Sequence, residues 1–400
     1  MQAATPRGLD WILPPCYFAF ATNKGMERAG TVSETNSRQE SPPESRKSYW
    51  LKRGVLAAFF VPSCILAALL FARTSGAPEP HKNIGLEDEV IFERPEAGGQ
   101  ADEVALKIRS VGHYSGELIY DVVYTQNGLG MRMTPTAAPQ KRERFLAFFG
   151  GSYTYGHGVE DDETLPYYTG QLAPDFVPYN FAQRGDGPQQ MLDWIREGSL
   201  PDLIQERNGY GIYVYMPYHL ERLVGAMPSF NLWTAEFPHY RLDETGGLIR
   251  DGTFRTGRPL RSLLYDALWE WPVLRSLKIR LPLRRYPKKD LDLLVAVIAA
   301  ARDSFQRQFS ASRFAVLIYC FPDQPPARWN GYIAEQLQTQ GIAAIDACAW
   351  LGETDIPTYR LPDFHPKPAM HRRVAQVLVQ ELGIGATACA PVRHAASVPP

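Results

Sequence analysis

Short apolar runs alternate with amphipathic segments from Arg144 onward, and this alternation constrains the fold more strongly than any other feature. The strand-like runs lie at 145–149, 177–182, 211–216, 314–319 and 341–345. The helix-like runs lie at 163–172, 188–197, 289–309, 331–339 and 368–382. Such alternation predicts an α/β domain in which helices cover both faces of a parallel sheet. Ligands of these domains bind beyond the carboxyl ends of the strands.

The loop after the first of these strands carries a candidate nucleophile, Ser152. Residues 150–156 read Gly-Gly-Ser-Tyr-Thr-Tyr-Gly, and the glycines permit a tight turn and a close backbone approach. A serine at a strand end suits nucleophilic catalysis, but it needs a base to take its proton. Thr154 stands where the nucleophile elbow of an α/β-hydrolase requires glycine, so the sequence disfavours that fold.

Asp363 and His365 supply a carboxylate and an imidazole two residues apart. Prolines on both sides of the pair argue against a helix, and in an extended backbone residues i and i+2 point to the same side. We therefore expect Asp363 to orient His365, and His365 to act as the general base for Ser152. His157, in the serine loop, is a rival base, but the only carboxylates close to it in sequence lie at 160–163.

Stabilisation of a tetrahedral oxyanion requires backbone N–H groups or polar side chains as donors. The backbone N–H of Ser152 is the first candidate. The second is the N–H of Gly185, in a glycine-containing loop that follows the second strand-like run.

These blocks resemble the SGNH (GDSL-type) hydrolase superfamily over about residues 117–382. The serine block 149–156, the glycine block 180–185 and the final block 363–366 carry the resemblance, although Gly151 stands where many members have Asp. The Asp-x-His spacing is similar to the alginate O-acetyltransferase branch and to membrane-anchored bacterial relatives near polysaccharide O-acetyl esterases. The resemblance implies a three-layer, flavodoxin-like α/β/α fold and a Ser–His–Asp site that uses neither a cofactor nor a metal.

The third block departs from the superfamily, in which an asparagine after the third strand completes the oxyanion hole. Residues 217–222 read Pro-Tyr-His-Leu-Glu-Arg, without asparagine. His219 falls nearest that position and is the third oxyanion-hole candidate, through a ring nitrogen. The alternative is a degenerate block in which His219 packs or faces solvent.

Three functions are compatible with these residues. The first is a serine esterase that removes acyl groups, expected to be O-acetyl, from an envelope or exported polysaccharide. The second is a polysaccharide O-acyltransferase that uses the same three residues, with an acyl-donor or polysaccharide-export membrane protein as partner. The third is a non-catalytic polysaccharide-binding or assembly protein, which the absent asparagine favours. The net charge of −1 gives no reason to expect a nucleic-acid partner.

The segment 54–72 contains no charged residue over roughly the 20 residues that a membrane-spanning helix needs. Arg46, Lys47, Lys52 and Arg53 precede it, so the positive-inside rule predicts a cytoplasmic N-terminus and a periplasmic catalytic domain. We expect a single-pass anchor in the inner membrane. A cleaved signal peptide is the alternative, which the long leader and the poor cleavage site disfavour.

The chain divides into five predicted regions. They are a disordered cytoplasmic tail at 1–48, a transmembrane anchor at 49–73, a spacer with a small β-rich cap at 74–140, the hydrolase-like domain at 141–385 and a disordered tail at 386–400. An insertion at about 224–288 interrupts the main domain and is expected to contain a hairpin and an amphipathic helix. Cys320 and Cys348 each follow a strand-like run, and we predict a disulfide bond between them, with two free thiols as the alternative.

Overall fold

The structure is a computed structural model that describes residues 84–92, 106–136, 142–271, 281, 286–319, 328–351 and 356–385. The predicted tails at 1–48 and 386–400 and the predicted anchor at 49–73 lie outside these residues. Within the described part, no helix combines the length and the apolar character that crossing a bilayer requires. Apart from residues 270 and 271, the described residues belong to one unit of the chain.

Three antiparallel strands form the first sheet, in the order β1–β2–β3. Their bounds are β1 Ile84–Phe92, β2 Leu106–Tyr114 and β3 Glu117–Gln126. Along β3, Tyr120, Val122 and Tyr124 are buried while the residues between them are more exposed, as expected for a sheet with one covered face. These three side chains pack against Tyr155 and Leu361 of the main domain.

Five parallel strands form the central sheet, as the alternation predicted. Their bounds are β4 Arg144–Phe149, β5 Phe176–Asn180, β6 Asn208–Tyr215, β9 Arg313–Ile318 and β10 Ala343–Asp346. The strands lie in the order β10–β9–β6–β4–β5. Numbered along the chain this is the 2-1-3-4-5 order of flavodoxin-like sheets, whose ligands bind where the winding reverses, between the first and third strands. Here that switch point lies between β4 and β6.

The helices follow the strands in sequence. Their bounds are α1 Ser152–Tyr155, α2 Leu165–Leu172, α3 Pro188–Glu197, α4 Leu200–Leu203, α5 Pro217–Leu223, α6 Met227–Ser229, α7 Phe254–Gly257, α8 Pro259–Trp269, α9 Lys288–Gln308, α10 Asn330–Thr339, α11 Cys348–Leu351, α12 Ile356–Tyr359 and α13 Pro368–Leu382. The five predicted helices of the main domain are all present, and α3 and α13 have the predicted bounds. A 3-10 turn, Asp161–Glu163, precedes α2, and a π-helical turn, Phe230–Thr234, follows α6.

Both faces of the central sheet are covered, so the domain has three layers. On one face Phe145, Tyr213 and Val316 pack with apolar side chains of α3, α9 and α10. On the other face Leu146 and Val214 pack with side chains of α2 and α13. Because each strand is buried on both sides, its sequence reads as an unbroken apolar run and not as an alternation.

The predicted hairpin forms within the insertion. Its strands are β7 Pro238–Leu242 and β8 Leu248–Thr253, which pair in antiparallel fashion. The Asp243 carboxylate accepts hydrogen bonds from the backbone N–H groups of Thr245 and Gly247, and this closes the turn. The amphipathic helix predicted after the hairpin is α8.

Cys348 is disulfide-bonded, and the other four cysteines lie outside the described residues. Strand β10 pairs with β9 up to Asp346 and Ile318, which are two residues before Cys348 and Cys320 respectively. The register therefore agrees with the predicted pair, although Cys320 itself lies outside the described residues and the pairing stays a prediction.

Candidate active site

The carboxyl ends of β4, β5 and β6 meet at one edge of the sheet, because Phe148 pairs with Asn180 and Phe149 with Tyr213. Ser152 lies three residues beyond β4, at the start of α1, and only 6% of its surface is exposed. Asn180 donates from Nδ2 to the carbonyl oxygens of Thr154 and Tyr155, at 3.1 and 3.3 Å, and so ties the serine helix to β5.

A buried guanidinium fixes the loop that follows this helix. Arg132 Nη1 donates to the carbonyl oxygens of Tyr155 and Gly156, and Nη2 donates to that of Val159 at 2.7 Å. Its Nε pairs with an Asp161 oxygen at 2.9 Å, and the Arg132 side chain has no exposed surface. Because this one side chain donates to three carbonyls between Tyr155 and Val159, it helps to fix the path of the chain after Ser152.

Asp363 and His365 form a buried hydrogen-bonded pair. Asp363 Oδ2 lies 3.0 Å from His365 Nδ1, and Asp363 Oδ1 accepts from the His365 backbone N–H at 3.2 Å. Burial tends to raise the pKa of Asp363, but the charge and hydrogen bonds of His365 outweigh it and hold that pKa below its usual value. Asp363 is therefore an ionised partner for the imidazole.

The backbone that forms this pair differs from the extended conformation that the sequence suggested. Residues 362–364 form a turn, and Phe364 has the left-handed φ of 75°. The carboxylate reaches the N–H two residues ahead, which is an Asx turn and not a strand. The prediction that the two side chains meet is correct, and the extended geometry behind it is wrong.

Residues next to Ser152 contact His365. The Tyr153 and His365 rings lie 5.5 Å apart between centroids, and the Tyr153 hydroxyl donates to the Phe364 carbonyl at 2.8 Å. The His157 ring lies 4.2 Å from the His365 ring. The final loop and the serine loop therefore form one cluster.

His157 has a carboxylate neighbour that the sequence did not reveal. Its Nε2 is 3.9 Å from Asp363 Oδ2 and 2.8 Å from the hydroxyl of Tyr120, which the antiparallel sheet contributes. Burial, followed by the charges of His365, Arg184 and Arg132, lowers the pKa of His157 well below its usual value. Tyr120 was not predicted as a site residue, since nothing in the local pattern of β3 separates it from other inward-facing residues.

Among the described residues, His157, Asp363 and His365 form a set that could hold a metal ion, with ligand atoms within 4.8 Å of one another. Asp363 and His365 share a direct hydrogen bond, so a metal bound through the same atoms would have to replace it. The pair as it stands has the geometry of a general base and its orienting carboxylate.

Gly185 lies in the loop after β5, is buried and has a φ of 90°, a conformation that favours glycine. The carbonyl of the next residue, Asp186, lies 3.3 Å from the place that a Cβ on Gly151 would occupy. The Gly185 loop and the serine loop are therefore adjacent.

His219 lies on α5, directly after β6, and is completely buried. Its Nε2 lies 2.9 Å from the place of a Gly151 Cβ, so the histidine faces the serine loop and not solvent. Its Nδ1 is 2.7 Å from the hydroxyl of Tyr213. Within the described part of the chain, Nε2 has no hydrogen-bond partner.

The Tyr213 hydroxyl is the hydrogen-bond partner of one ring nitrogen of His219. Burial raises the pKa of Tyr213 well above its usual value, so its O–H is present. Burial and the charge of Arg222 lower the pKa of His219 well below its usual value, so its imidazole is neutral. The Tyr213 hydroxyl can donate to His219 Nδ1 or accept from it. As the donor, it leaves the single ring proton on Nε2, the nitrogen that faces Gly151.

No protein-family model matches this chain, and no curated protein matches it. The solved structures that it resembles include esterases and a G-D-S-L family protein. One is a carbohydrate esterase family 2 enzyme with a carbohydrate-binding domain from Corynascus thermopiles (Myceliophthora fergusii), with 13% identity, a TM-score of 0.35 and coverage of 75% of this chain and 87% of that one. A second is the psychrotrophic esterase EstA from Pseudoalteromonas sp., with 10% identity, a TM-score of 0.33 and coverage of 60% and 96%. A third is a lipolytic G-D-S-L family protein from Desulfitobacterium hafniense DCB-2, with 10% identity, a TM-score of 0.34 and coverage of 60% and 99%.

Replacement of Arg132 by Met should lower the free energy of unfolding by about 3–5 kcal/mol, because it removes the cationic partner of Asp161 and leaves the Val159 carbonyl without a donor among the described residues. Denaturant unfolding followed by fluorescence measures this difference. Arg109→Met is the matched control, since Arg109 pairs with Asp121 at an exposed site and its loss should change stability by no more than ~1 kcal/mol. Equal effects of the two replacements would contradict the role given to Arg132.

Asp186 should make stability depend on pH. Burial raises the pKa of its carboxyl to about 7, although Arg222 opposes the rise. A pKa raised on folding gives a contribution that is complete below the unfolded value of 3.8 and is lost as the pH rises through about 7. The melting temperature of Asp186→Asn relative to the wild type should therefore be higher at pH 8 than at pH 4. A difference that is the same at both pH values would refute this assignment.

Proposed function

We propose that this protein is a serine esterase of the SGNH/GDSL type that hydrolyses acyl esters, in the first place O-acetyl esters of an envelope or exported polysaccharide. The observation that carries the proposal is the buried Asp363–His365 pair, whose imidazole contacts the residues around Ser152. The substrate class follows from the resemblance of the sequence blocks to those of polysaccharide O-acetyl esterases and transferases.

Ser152 is the nucleophile in this proposal. Its Oγ attacks the ester carbonyl and its proton passes to His365 Nε2, while Asp363 keeps the other ring nitrogen protonated and stabilises the imidazolium that forms. The same proton then goes to the leaving alcohol. Water attacks the acyl-serine in the second half of the reaction, with His365 again as the base, and the acid is released. His365 Nε2 is buried and has no hydrogen-bond partner among the described residues, Ser152 included, so the proton transfer requires these two side chains to approach each other when substrate binds.

The tetrahedral oxyanion receives hydrogen bonds from the backbone N–H groups of Ser152 and Gly185 and from His219 Nε2. The imidazole of His219 thus takes the place of the asparagine of the third block. The support is the direction of Nε2 toward Gly151, together with the Tyr213 hydroxyl, which as a donor to Nδ1 leaves the ring proton on Nε2. A neutral imidazole can donate without competing for the proton that moves between Ser152 and His365.

The cellular location of the protein is also part of the proposal. The uncharged segment 54–72 and the basic residues before it support a single inner-membrane anchor with the catalytic domain in the periplasm. The disulfide bond of Cys348 supports the same location, since disulfides persist in oxidising compartments. Acyl-donor or polysaccharide-export proteins of the same membrane are the partners that this location offers.

The purified full-length protein should hydrolyse p-nitrophenyl acetate, and Ser152→Ala should lower kcat by at least ~10³, since the nucleophile is lost. The two neighbouring histidines provide a matched test of the base. His365→Gln should lose as much activity as Ser152→Ala, whereas His157→Gln should stay within about tenfold of the wild type, because His157 lacks a direct hydrogen bond to Asp363.

A chelator is the control for a metal at the histidine cluster, and it should leave the rate unchanged. Hydrolysis that survives Ser152→Ala, or that falls more with His157→Gln than with His365→Gln, would contradict the proposed site.

A further inference from the structure

Arg222 is a buried cation that the chemistry above does not use. It lies one helical turn after His219 on α5, and 6% of its surface is exposed. Residues three apart on a helix share a face, so the two side chains point in the same direction. The spacing His-x-x-Arg is visible in the sequence, but only the fold reveals that this face meets the serine loop.

Three polar atoms converge on the space beside Gly151. A Cβ at Gly151 would lie 2.7 Å from Arg222 Nη1, 2.9 Å from His219 Nε2 and 3.3 Å from the Asp186 carbonyl oxygen. Glycine at 151 therefore leaves room for the guanidinium and the imidazole directly before Ser152. This place is the switch point between β4 and β6, where sheets of this winding bind ligands.

The charge of Arg222 is not neutralised by an ion pair within the described residues. Arg222 Nη1 donates a hydrogen bond to the Asp186 backbone carbonyl at 2.6 Å. Asp186 and Glu221 act on it through space, yet burial dominates and lowers the pKa of Arg222. Burying a guanidinium without a carboxylate partner lowers stability by several kcal/mol. A side chain that only held one carbonyl in place would not need a positive charge, so the charge indicates a second role.

We propose that Arg222 is a catalytic residue whose guanidinium stabilises the oxyanion of the tetrahedral intermediate, together with His219, at the switch point between β4 and β6. The inference rests on the proposed esterase function. The substrate carbonyl is neutral and the intermediate carries a full negative charge, so the cation acts mainly on the transition state. The dry surroundings strengthen this attraction, and the guanidinium is already held in position by the Asp186 carbonyl.

Two replacements separate the charge from the hydrogen bond. Arg222→Gln keeps an N–H donor for the Asp186 carbonyl and removes the charge, whereas Arg222→Lys keeps both. With p-nitrophenyl acetate we expect Gln to lower kcat by about 10²–10³ with KM changed less than threefold, and Lys to stay within about tenfold. Melting temperatures of both variants are measured alongside. Gln and Lys variants with equal rates would overturn the proposal, because the charge would then be irrelevant.

The inhibition constant of phenylboronic acid is a measurement that would not change if Arg222 had only a structural role. The boronate forms a tetrahedral, negatively charged adduct with the nucleophilic serine, so its inhibition constant should rise by the same factor as kcat/KM falls in Arg222→Gln. An unchanged inhibition constant, despite a reduced rate, would overturn the proposal.

Gly151→Ala tests the same space with Arg222 intact, in case the Gln variant unfolds. Its φ of −98° suits alanine, and the added methyl displaces the Arg222 and His219 atoms. We expect weaker boronate binding and a kcat at least tenfold lower, and wild-type values of both would overturn the proposal. A wild type without Ser152-dependent hydrolysis would instead refute the proposed function and this inference together.

Discussion

The loop after Ser152 depends on one buried guanidinium, that of Arg132. From outside the central sheet, Arg132 donates to the carbonyls of Tyr155, Gly156 and Val159, and the Val159 carbonyl has no other donor among the described residues. The loop in turn carries His157 against His365 and receives Tyr120 from the antiparallel sheet. The sequence does not show this dependence, because Arg132 lies between β3 and the first strand of the central sheet. The small sheet therefore contributes a side chain to the candidate site and is not only a covering.

The groups around the serine loop divide into two chemical sets. One set is the ionised Asp363 with His365, which transfers protons in the proposed reaction. The other is the neutral His219 with the cationic Arg222, which faces Gly151 and suits a developing negative charge. Burial lowers the pKa of His157 and of His219, so both imidazoles are neutral and add no positive charge to the site. This separation matches the needs of acyl transfer, in which a proton and a negative charge form at different atoms of one intermediate.

The sequence predicted the parts of the fold that local pattern determines. The five central strands, the bounds of α3 and α13 and the meeting of Asp363 with His365 follow from apolar runs, turn residues and spacing. The approach of His157 to Asp363 and the contact of Tyr120 with His157 do not, because each arises from contacts between segments far apart in the chain. The left-handed φ of Phe364 has a local cause, the turn that Asp363 closes onto the His365 N–H, which the expected extended backbone did not include. Arg222 shows most clearly what the sequence cannot predict. Its spacing from His219 is local, but its functional role depends on Gly151, about 70 positions earlier, which tertiary packing places beside it.

The central claim is that Ser152 is an activated nucleophile served by His365. A fluorophosphonate probe tests it directly, since the serine oxygen displaces fluoride from phosphorus only when a base accepts its proton. Mass spectrometry of the labelled full-length protein should locate a single adduct on Ser152, and His365→Gln should abolish it while the protein stays folded. An adduct on another residue, or labelling of Ser152 that does not change in His365→Gln, would contradict the account.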